Sequence, residues 1–245
     1  EPAVPELGIG STKTRQKDGM EMVYVPEGSF EMGSTKGYDD EKPVRQVYLD
    51  AYWIDKYEVT NGQYKQCVAA GACTLPGASG SNTRSSYYDN TSYANYPVIT
   101  VDWYQAQEYC QWAGGDLPTE AQWEKAARGT NGREFPWGND VPNSSLANFN
   151  GNQGDTVEVG SYPQGVSPYG ALDMAGNVWE WVRDWYGGYD ANETDNPTGP
   201  SSGTHRVLHG GCWGNVTRNI RAAYRDINYP TYWYDFIGFR CVSPP

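Results

Sequence analysis

The chain has 245 residues, of which 18 are Lys or Arg and 30 are Asp or Glu, so its formal net charge is −12. Nucleic acids and anionic membrane surfaces are poor partners for so acidic a chain, because binding to phosphates depends on Lys and Arg. With 29 Gly, 16 Pro and 14% aromatic residues, the composition predicts a loop-rich globular protein built on aromatic clusters. No run of 18 apolar residues occurs, so we expect no insertion into a membrane.

The first segments in chain order are a linker, three strands and a long loop. Residues 1–17 contain two Pro and two Gly and show little apolar periodicity, which is typical of a linker remnant. Strands are predicted over 20–25, where the residues alternate in polarity, over 29–32 after the turn Pro26-Glu-Gly28, and over 45–54. Residues 74–97 have no apolar period and predict a long surface loop.

Three helices are predicted from capping residues and helical spacing, over 60–68, 102–112 and 119–128. The third has the clearest start, because Thr119 is followed three residues later by Gln122, as in a capping box. Short strands and loops follow to the end of the chain. We therefore expect one α+β domain over 18–245 with much irregular backbone.

Cysteine occurs at positions 67, 73, 110, 212 and 241. Outside the cell this odd number predicts two disulfide bonds and one free thiol, whereas in a reducing cytoplasm all five would be buried thiols. Cys67 and Cys73 flank a short segment that could turn back on itself to close one bond. The cysteines thus favour an extracellular or cell-surface protein, with a cytoplasmic one as the alternative.

Seven sequence blocks, in order, carry a family resemblance. They include Leu-Pro-Thr-Glu-Ala-Gln-Trp-Glu from residue 117, Gly-Asn-Val-Trp-Glu-Trp from residue 176 and Gly-Phe-Arg-Cys from residue 238. The blocks lie at residues 18–33, 53–61, 117–129, 135–139, 173–181, 206–213 and 237–242. The chain resembles the formylglycine-generating-enzyme-like family, also called the sulfatase-modifying-factor domain. That resemblance implies a fold related to C-type lectins and a disulfide bond between Cys110 and Cys241.

The best known members of this family oxidise a cysteine of a client sulfatase, using copper held by two cysteines five residues apart. Those cysteines follow a Gly-Gly-Ser-aromatic motif, which here is residues 210–213. One alignment places Asn215 and Ile220 in the two thiol positions, and another places Cys212 and Thr217 there. Cu(I) needs soft sulfur ligands, and at least one is missing in either alignment. We therefore expect no copper and no catalysis.

A second enzymatic branch of the family makes carbon–sulfur bonds with iron held by three histidines. The chain contains only His205 and His209. The number of histidines therefore excludes this branch.

The C-terminal segment resembles that of variable proteins of diversity-generating retroelements, which use the same fold and carry a hypervariable patch at the C-terminus. Between framework residues such as Arg206, Trp213 and Arg221, most residues can be reached from Asn, Ser or Arg codons by changing adenines. The segment, about 209–236, also has many rigid aromatic side chains of the kind that adaptable binding sites use. The residues predicted to bind ligand are Gly214, Val216, Thr217, Ile220, Tyr224, Asp226, Ile227, Tyr229, Thr231, Tyr232, Trp233, Tyr234, Asp235 and Phe236.

This resemblance predicts a monomeric, non-catalytic protein that binds a protein or another macromolecule through its C-terminal face. Three alternatives stay open. The aromatic residues could belong to the core, the chain could be a copper-dependent oxidase of peptide cysteines, or it could be an undiversified sensor or adaptor module of a larger protein.

The family resemblance also implies structural calcium. One set of oxygen ligands would be Asp173, Gly176, Val178 and Glu180, and a second would be Asn148, Phe149, Asp155 and Val157. Carboxylates combined with backbone carbonyls suit a hard cation. The alternative for Glu180 is an ion pair with an arginine.

Overall fold

Short strands and three short helices form the framework in the computed structural model, which describes residues 7–245. The strands are β1 Thr12–Thr14, β2 Glu21–Val25, β3 Gly28–Met32, β4 Arg45–Leu49, β5 Tyr52–Asp55, β6 Trp179–Trp185, β7 Arg206–His209, β8 Asp226–Asn228, β9 Ile237–Gly238 and β10 Val242–Ser243. The helices are α1 Asn61–Ala69, α2 Trp103–Trp112 and α3 Glu120–Arg128.

The strands of this described region pair in three sheets, with the orders β1-β2-β5-β10, β3-β4 and β8-β7-β6-β9. All pairs are antiparallel except β6 with β9. In β4 the buried residues Arg45, Val47 and Leu49 alternate with exposed ones, as expected for a strand with one face on the core. Long segments between the strands have no regular structure, in agreement with the predicted α+β, loop-rich class.

Each helix begins with a capping box, in which the cap side chain accepts a hydrogen bond from the third helical N–H and a Gln at that position reaches back. The pairs are Thr60 with Gln63, Asp102 with Gln105 and Thr119 with Gln122. The predicted helices are confirmed to within one residue at each end.

Two sequence predictions need correction. The predicted strand 45–54 is two strands, because β4 pairs with β3 whereas β5 pairs with β2 in a different sheet. The predicted linker, 1–17, extends too far, because residues 12–14 form β1 on the edge of the first sheet. Arg15 is also buried and lies 2.7 Å from carboxylate oxygens of both Asp18 and Asp55. Residues 1–6 lie outside the described residues.

Both expected disulfide bonds are present, and they tie helices to their surroundings. Cys67 and Cys73 close the C-terminal end of α1, and Cys110 of α2 bonds to Cys241 immediately before β10. Cys212 is free and buried. No helix of the described chain is long and apolar enough to cross a bilayer.

Candidate ligand-binding surface

Four aromatic side chains of the C-terminal segment lie at the protein surface. Tyr229, Tyr232, Trp233 and Tyr234 are 40–50% exposed, although large aromatic side chains are usually mostly buried. Phe236 beside them is half-buried. We call these five residues the aromatic surface. The four exposed members do not belong to the core, so the core interpretation of these side chains is wrong.

The rings of the aromatic surface pack on one another and on a neighbouring histidine. The ring centroids of Tyr234 and Phe236 are 5.1 Å apart in a stacked arrangement, and those of Tyr229 and Tyr232 are 5.2 Å apart. The His205 ring lies 4.2 Å from Tyr229. These distances are typical of aromatic pairs, so the rings restrain one another before any ligand binds.

Trp233 lies against the long loop 74–97. A β-carbon built on Gly77 would come within 2.3 Å of Cε2 of the Trp233 indole. The absence of a side chain at Gly77 therefore leaves the space that the indole fills. Loop 74–97 thus forms part of the same surface.

Main-chain hydrogen bonds hold the segment that carries the aromatic surface. The Thr100 N–H donates to the Tyr234 carbonyl over 3.0 Å, and the Trp103 N–H donates to the Pro230 carbonyl over 3.1 Å. The Tyr232 N–H closes a turn onto the Tyr229 carbonyl. Because the backbone makes these contacts, the side chains of the segment are left free to face outwards.

The other predicted ligand-binding residues, apart from Ile220, are either exposed or half-buried. Exposed residues are Gly214, Val216, Thr217, Ile227 and Thr231. Half-buried residues are Tyr224, Asp226 and Asp235. Tyr224 packs against Trp179 and Tyr38, with ring centroids 5.8 and 5.7 Å away.

Ile220 is the predicted ligand-binding residue that the structure removes from the surface. Its side chain is 0% exposed and belongs to a small apolar cluster with Phe135, Phe149 and Ala175. A partner cannot contact a side chain in this position, so Ile220 is a core residue. Isoleucine is a typical core residue, so its burial needs no role in ligand binding.

Cys212 lies alone in a buried environment. Burial raises the pKa of its thiol to about 11, so the sulfur is protonated at neutral pH. The other four cysteines are oxidised. Of the alternative thiol positions, Asn215 is half-buried, Thr217 is exposed and Ile220 is in the core. No second thiol is therefore present beside Cys212 to complete a copper site.

The carboxylate of Asp155, which belongs to one predicted calcium set, already has hydrogen-bond and ion-pair partners within the protein. Its Oδ2 accepts hydrogen bonds from Ser81 and Thr83 and lies 3.2 Å from the Arg84 guanidinium. Its Oδ1 accepts a hydrogen bond from the Thr156 N–H. Asn148 Oδ1, in contrast, is buried without a partner in the described chain.

Glu180 belongs to the other predicted calcium set. It forms an ion pair with Arg240, which is the alternative to calcium binding stated above. Both of its oxygens lie 2.7 Å from Arg240 nitrogens, and Oε2 also accepts a hydrogen bond from the Trp123 indole. In this set Asp173 accepts a hydrogen bond from the Gly160 N–H. An arginine thus faces the key carboxylate of each set, and neither set fits calcium as arranged. The described residues hold no cluster of three or more His, Cys, Asp or Glu side chains suited to a metal.

The two histidines have different surroundings. His209 is fully buried, stacks on Trp123 and lies 2.9 Å from Glu120, whereas His205 lies beside Tyr229 at the surface. They do not form a metal site together. No sequence pattern assigns His205 or Gly77 to the aromatic surface, because each contacts it from a distant part of the chain.

The model of the sulfatase-modifying factor enzyme 1-like domain matches residues 9–244. The chain is 40% identical over 239 residues to the serine/threonine-protein kinase pkn1 of Chlamydia pneumoniae, covering 91% of this chain and 38% of that protein. It is 33% identical to the formylglycine-generating enzyme of Mus musculus, covering 91% of this chain and 74% of the enzyme. The chain therefore spans about two fifths of the length of the kinase relative.

Solved structures share the fold over nearly the whole chain. PvdO from Pseudomonas aeruginosa superimposes with a TM-score of 0.83 at 26% identity, covering 98% of this chain and 100% of PvdO. Treponema denticola variable protein 1 superimposes with a TM-score of 0.76 at 23% identity, covering 96% and 99% of the two chains. The predicted fold class is thereby confirmed.

Proposed function

The chain belongs to the sulfatase-modifying factor enzyme 1-like domain family, and from this premise we propose that it is a non-catalytic domain that binds a protein partner. The observation that carries the proposal is the aromatic surface, in which four Tyr and Trp side chains within residues 229–234 are 40–50% exposed. Tyr and Trp dominate the energetic centres of protein interfaces, because they bury a large area with few rotatable bonds.

The surface is also organised before binding. Its rings contact one another, and its backbone is anchored to Thr100 and Trp103. Restraining side chains and loops in advance lowers the entropy cost of association. A protein is the favoured partner class, since nucleic acid is disfavoured by the net charge of −12.

The surroundings of Cys212 support the absence of oxidase activity. A single free thiol does not supply the pair of sulfur ligands that a Cu(I) centre of this family needs. We expect no copper-dependent oxygen consumption with a cysteine-containing peptide. Robust turnover that Cys212→Ser abolishes would overturn the proposal in favour of the oxidase.

We further propose that a diversity-generating retroelement produced the residues of the C-terminal segment that form this surface. Most residues between the framework positions can be reached by adenine changes, and many of them, including Tyr229, Tyr232, Trp233 and Tyr234, are exposed. The test is the gene neighbourhood. A near-copy of the last coding stretch, differing at adenines, should lie beside the gene, and its absence would leave an undiversified binding surface.

A second candidate, an adaptor module of a larger protein, is favoured by the relationship with the chlamydial kinase, of which this chain matches 38%. In that case the surface would bind one fixed partner. Finding the same Tyr and Trp residues at 229–236 in independent isolates would support the adaptor, whereas different residues there would support diversification.

The binding proposal is tested by replacing Tyr232, Trp233 and Tyr234 together with Ala and comparing binding on an array of purified extracellular proteins. We expect every partner found with the natural chain to bind the triple variant at least about 100-fold more weakly, as when hot-spot residues are lost. Tyr48→Ala, which removes an exposed tyrosine from β4, is the matched control and should retain binding. Unchanged binding by the triple variant, or its failure to fold, would overturn the proposal.

A further inference from the structure

A cavity of about 230 Å³ lies between β4, the start of α3 and the Gly- and Pro-rich segment 187–200. Its lining includes no residue of the aromatic surface, so an occupant of this cavity would bind independently of the proposed partner. The polar residues of its lining that matter here are Arg45, Glu120, Asp184, Asp190, Glu193 and Arg225.

Glu120 and Arg225 satisfy each other. The Arg225 Nε and Nη2 atoms donate to the two oxygens of Glu120 over 2.6 and 2.9 Å, and Nη1 donates to main-chain carbonyls. His209 lies 2.9 Å from the same carboxylate. This network leaves no unpaired charge for a ligand.

Arg45, in contrast, has no such partner. Arg45 is only 9% exposed, and its Nε and Nη1 atoms make no hydrogen bond with any of the residues 7–245. The guanidinium carbon lies 3.9 Å from the ring centroid of Tyr189, which fixes the plane of the group. A buried guanidinium without an acceptor is costly, so a partner that supplies oxygen atoms would stabilise it.

Asp184 is the complementary group on the same cavity. It is 4% exposed, and its Oδ2 accepts a hydrogen bond from the Glu120 N–H over 2.8 Å. Its Oδ1 accepts none from the described part of the chain, and it faces Gly199, where a β-carbon would lie 3.0 Å away. Asp184 therefore retains an oxygen that can accept a hydrogen bond from a ligand.

The cavity is thus lined by two buried groups of opposite charge, Arg45 and Asp184, that do not pair with each other. Each retains atoms without a hydrogen-bond partner among the described residues. A simple anion is disfavoured, because Asp190 and Glu193 add negative charge to the lining. A simple cation would leave Arg45 without an acceptor. The volume, equal to that of several water molecules at about 30 Å³ each, suits a molecule of few heavy atoms.

We infer that this cavity binds a small α-amino acid, whose carboxylate contacts the Arg45 guanidinium and whose ammonium group contacts Asp184. Arg–carboxylate contacts are among the strong hydrogen bonds in proteins, since both groups are charged. The Gly- and Pro-rich segment 187–200 forms one wall of the cavity.

The test measures the thermal stability of the intact chain with each protein amino acid at millimolar concentration, followed by calorimetric titration of those that stabilise it. Acetate and methylammonium, which carry one charge each, are the matched probes. We expect one or more small amino acids, such as glycine, alanine or serine, to raise the melting temperature, and neither single-charge probe to do so.

Arg45→Gln and Asp184→Asn should each weaken the binding of the stabilising amino acid by about tenfold or more. Arg218→Gln, which changes an exposed arginine, should bind it as the natural chain does. The inference is overturned if no amino acid stabilises the natural chain, if acetate or methylammonium does so equally, or if both cavity variants keep full affinity. If either variant fails to fold, the single-charge probes on the natural chain decide the matter.

Discussion

The indole of Trp233 lies against the backbone of Gly77, in a space that a side chain at Gly77 would fill. These residues are far apart in the chain, so the long loop and the C-terminal segment together determine the shape of the aromatic surface. Gly77 is therefore a positioning residue for the proposed binding function.

Gly77→Ala should displace Trp233 with little loss of overall stability. The added β-carbon would meet the indole at 2.3 Å, and the indole can move because Trp233 is 42% exposed. We expect the free energy of unfolding to change by less than about 1 kcal/mol, while quenching of tryptophan fluorescence by acrylamide increases. Gly8→Ala, which has no neighbour within 4 Å, is the control. Identical quenching of both variants would contradict this role.

The two disulfide bonds should differ in their contribution to stability. Cys110 and Cys241 are 131 residues apart, whereas Cys67 and Cys73 are 6 apart. The chain-entropy model gives about 5 kcal/mol for the first bond and about 2 kcal/mol for the second. Urea unfolding of the two double Cys→Ala variants measures the difference. A larger loss from removing the short loop would contradict the entropic account.

Asp184 should make the folded state less stable as the pH rises towards neutrality. Burial, reinforced by the nearby charge of Glu120, raises its pKa to about 7, whereas an aspartate in an unfolded chain has a pKa of about 3.9. Between these values the unfolded chain binds fewer protons than the folded chain, so the free energy of unfolding falls with increasing pH.

Asp184→Asn should therefore reduce this fall, as measured by urea unfolding at a series of pH values from about 4 to about 7. The fall will not vanish, because burial also raises the pKa values of Asp55 and Asp173 to about 6. Asp140→Asn, at an exposed position, serves as the control. A variant with the slope of the natural chain would contradict the assignment to Asp184.

Calcium should have little effect on stability. Arg84 and Arg240 pair with the carboxylates that the family resemblance assigned to calcium, so a cation would have to displace an arginine. We expect the melting temperature to be the same in calcium and in EDTA. A marked rise of the melting temperature in calcium that Asp155→Asn abolishes would contradict this prediction and show that Asp155 exchanges Arg84 for the cation.

The sequence predicted the features that depend on short stretches of chain. The helices begin where Thr60, Asp102 and Thr119 cap them, because a capping box needs only four consecutive residues. Family blocks and cysteine positions likewise indicated the fold and both disulfide bonds.

Features that depend on contacts between distant segments could not be predicted. The break between β4 and β5 follows from pairing with two different sheets. Ile220 is buried because Phe135, Phe149 and Ala175 converge on it, although its neighbours at 216–218 are exposed. The cavity that places Arg45 beside the free Oδ1 of Asp184 likewise depends on where the segment 187–200 folds back.

The main-chain anchoring of the C-terminal segment has a consequence for protein engineering. The bonds from Thr100 to Tyr234 and from Trp103 to Pro230 use backbone atoms, and a carbonyl is present whichever residue occupies position 234. Randomising the exposed positions 231–234 should therefore leave the loop geometry intact. The domain can then serve as a compact, disulfide-braced scaffold for selecting new binders, in the way that antibody loops are randomised on a constant framework.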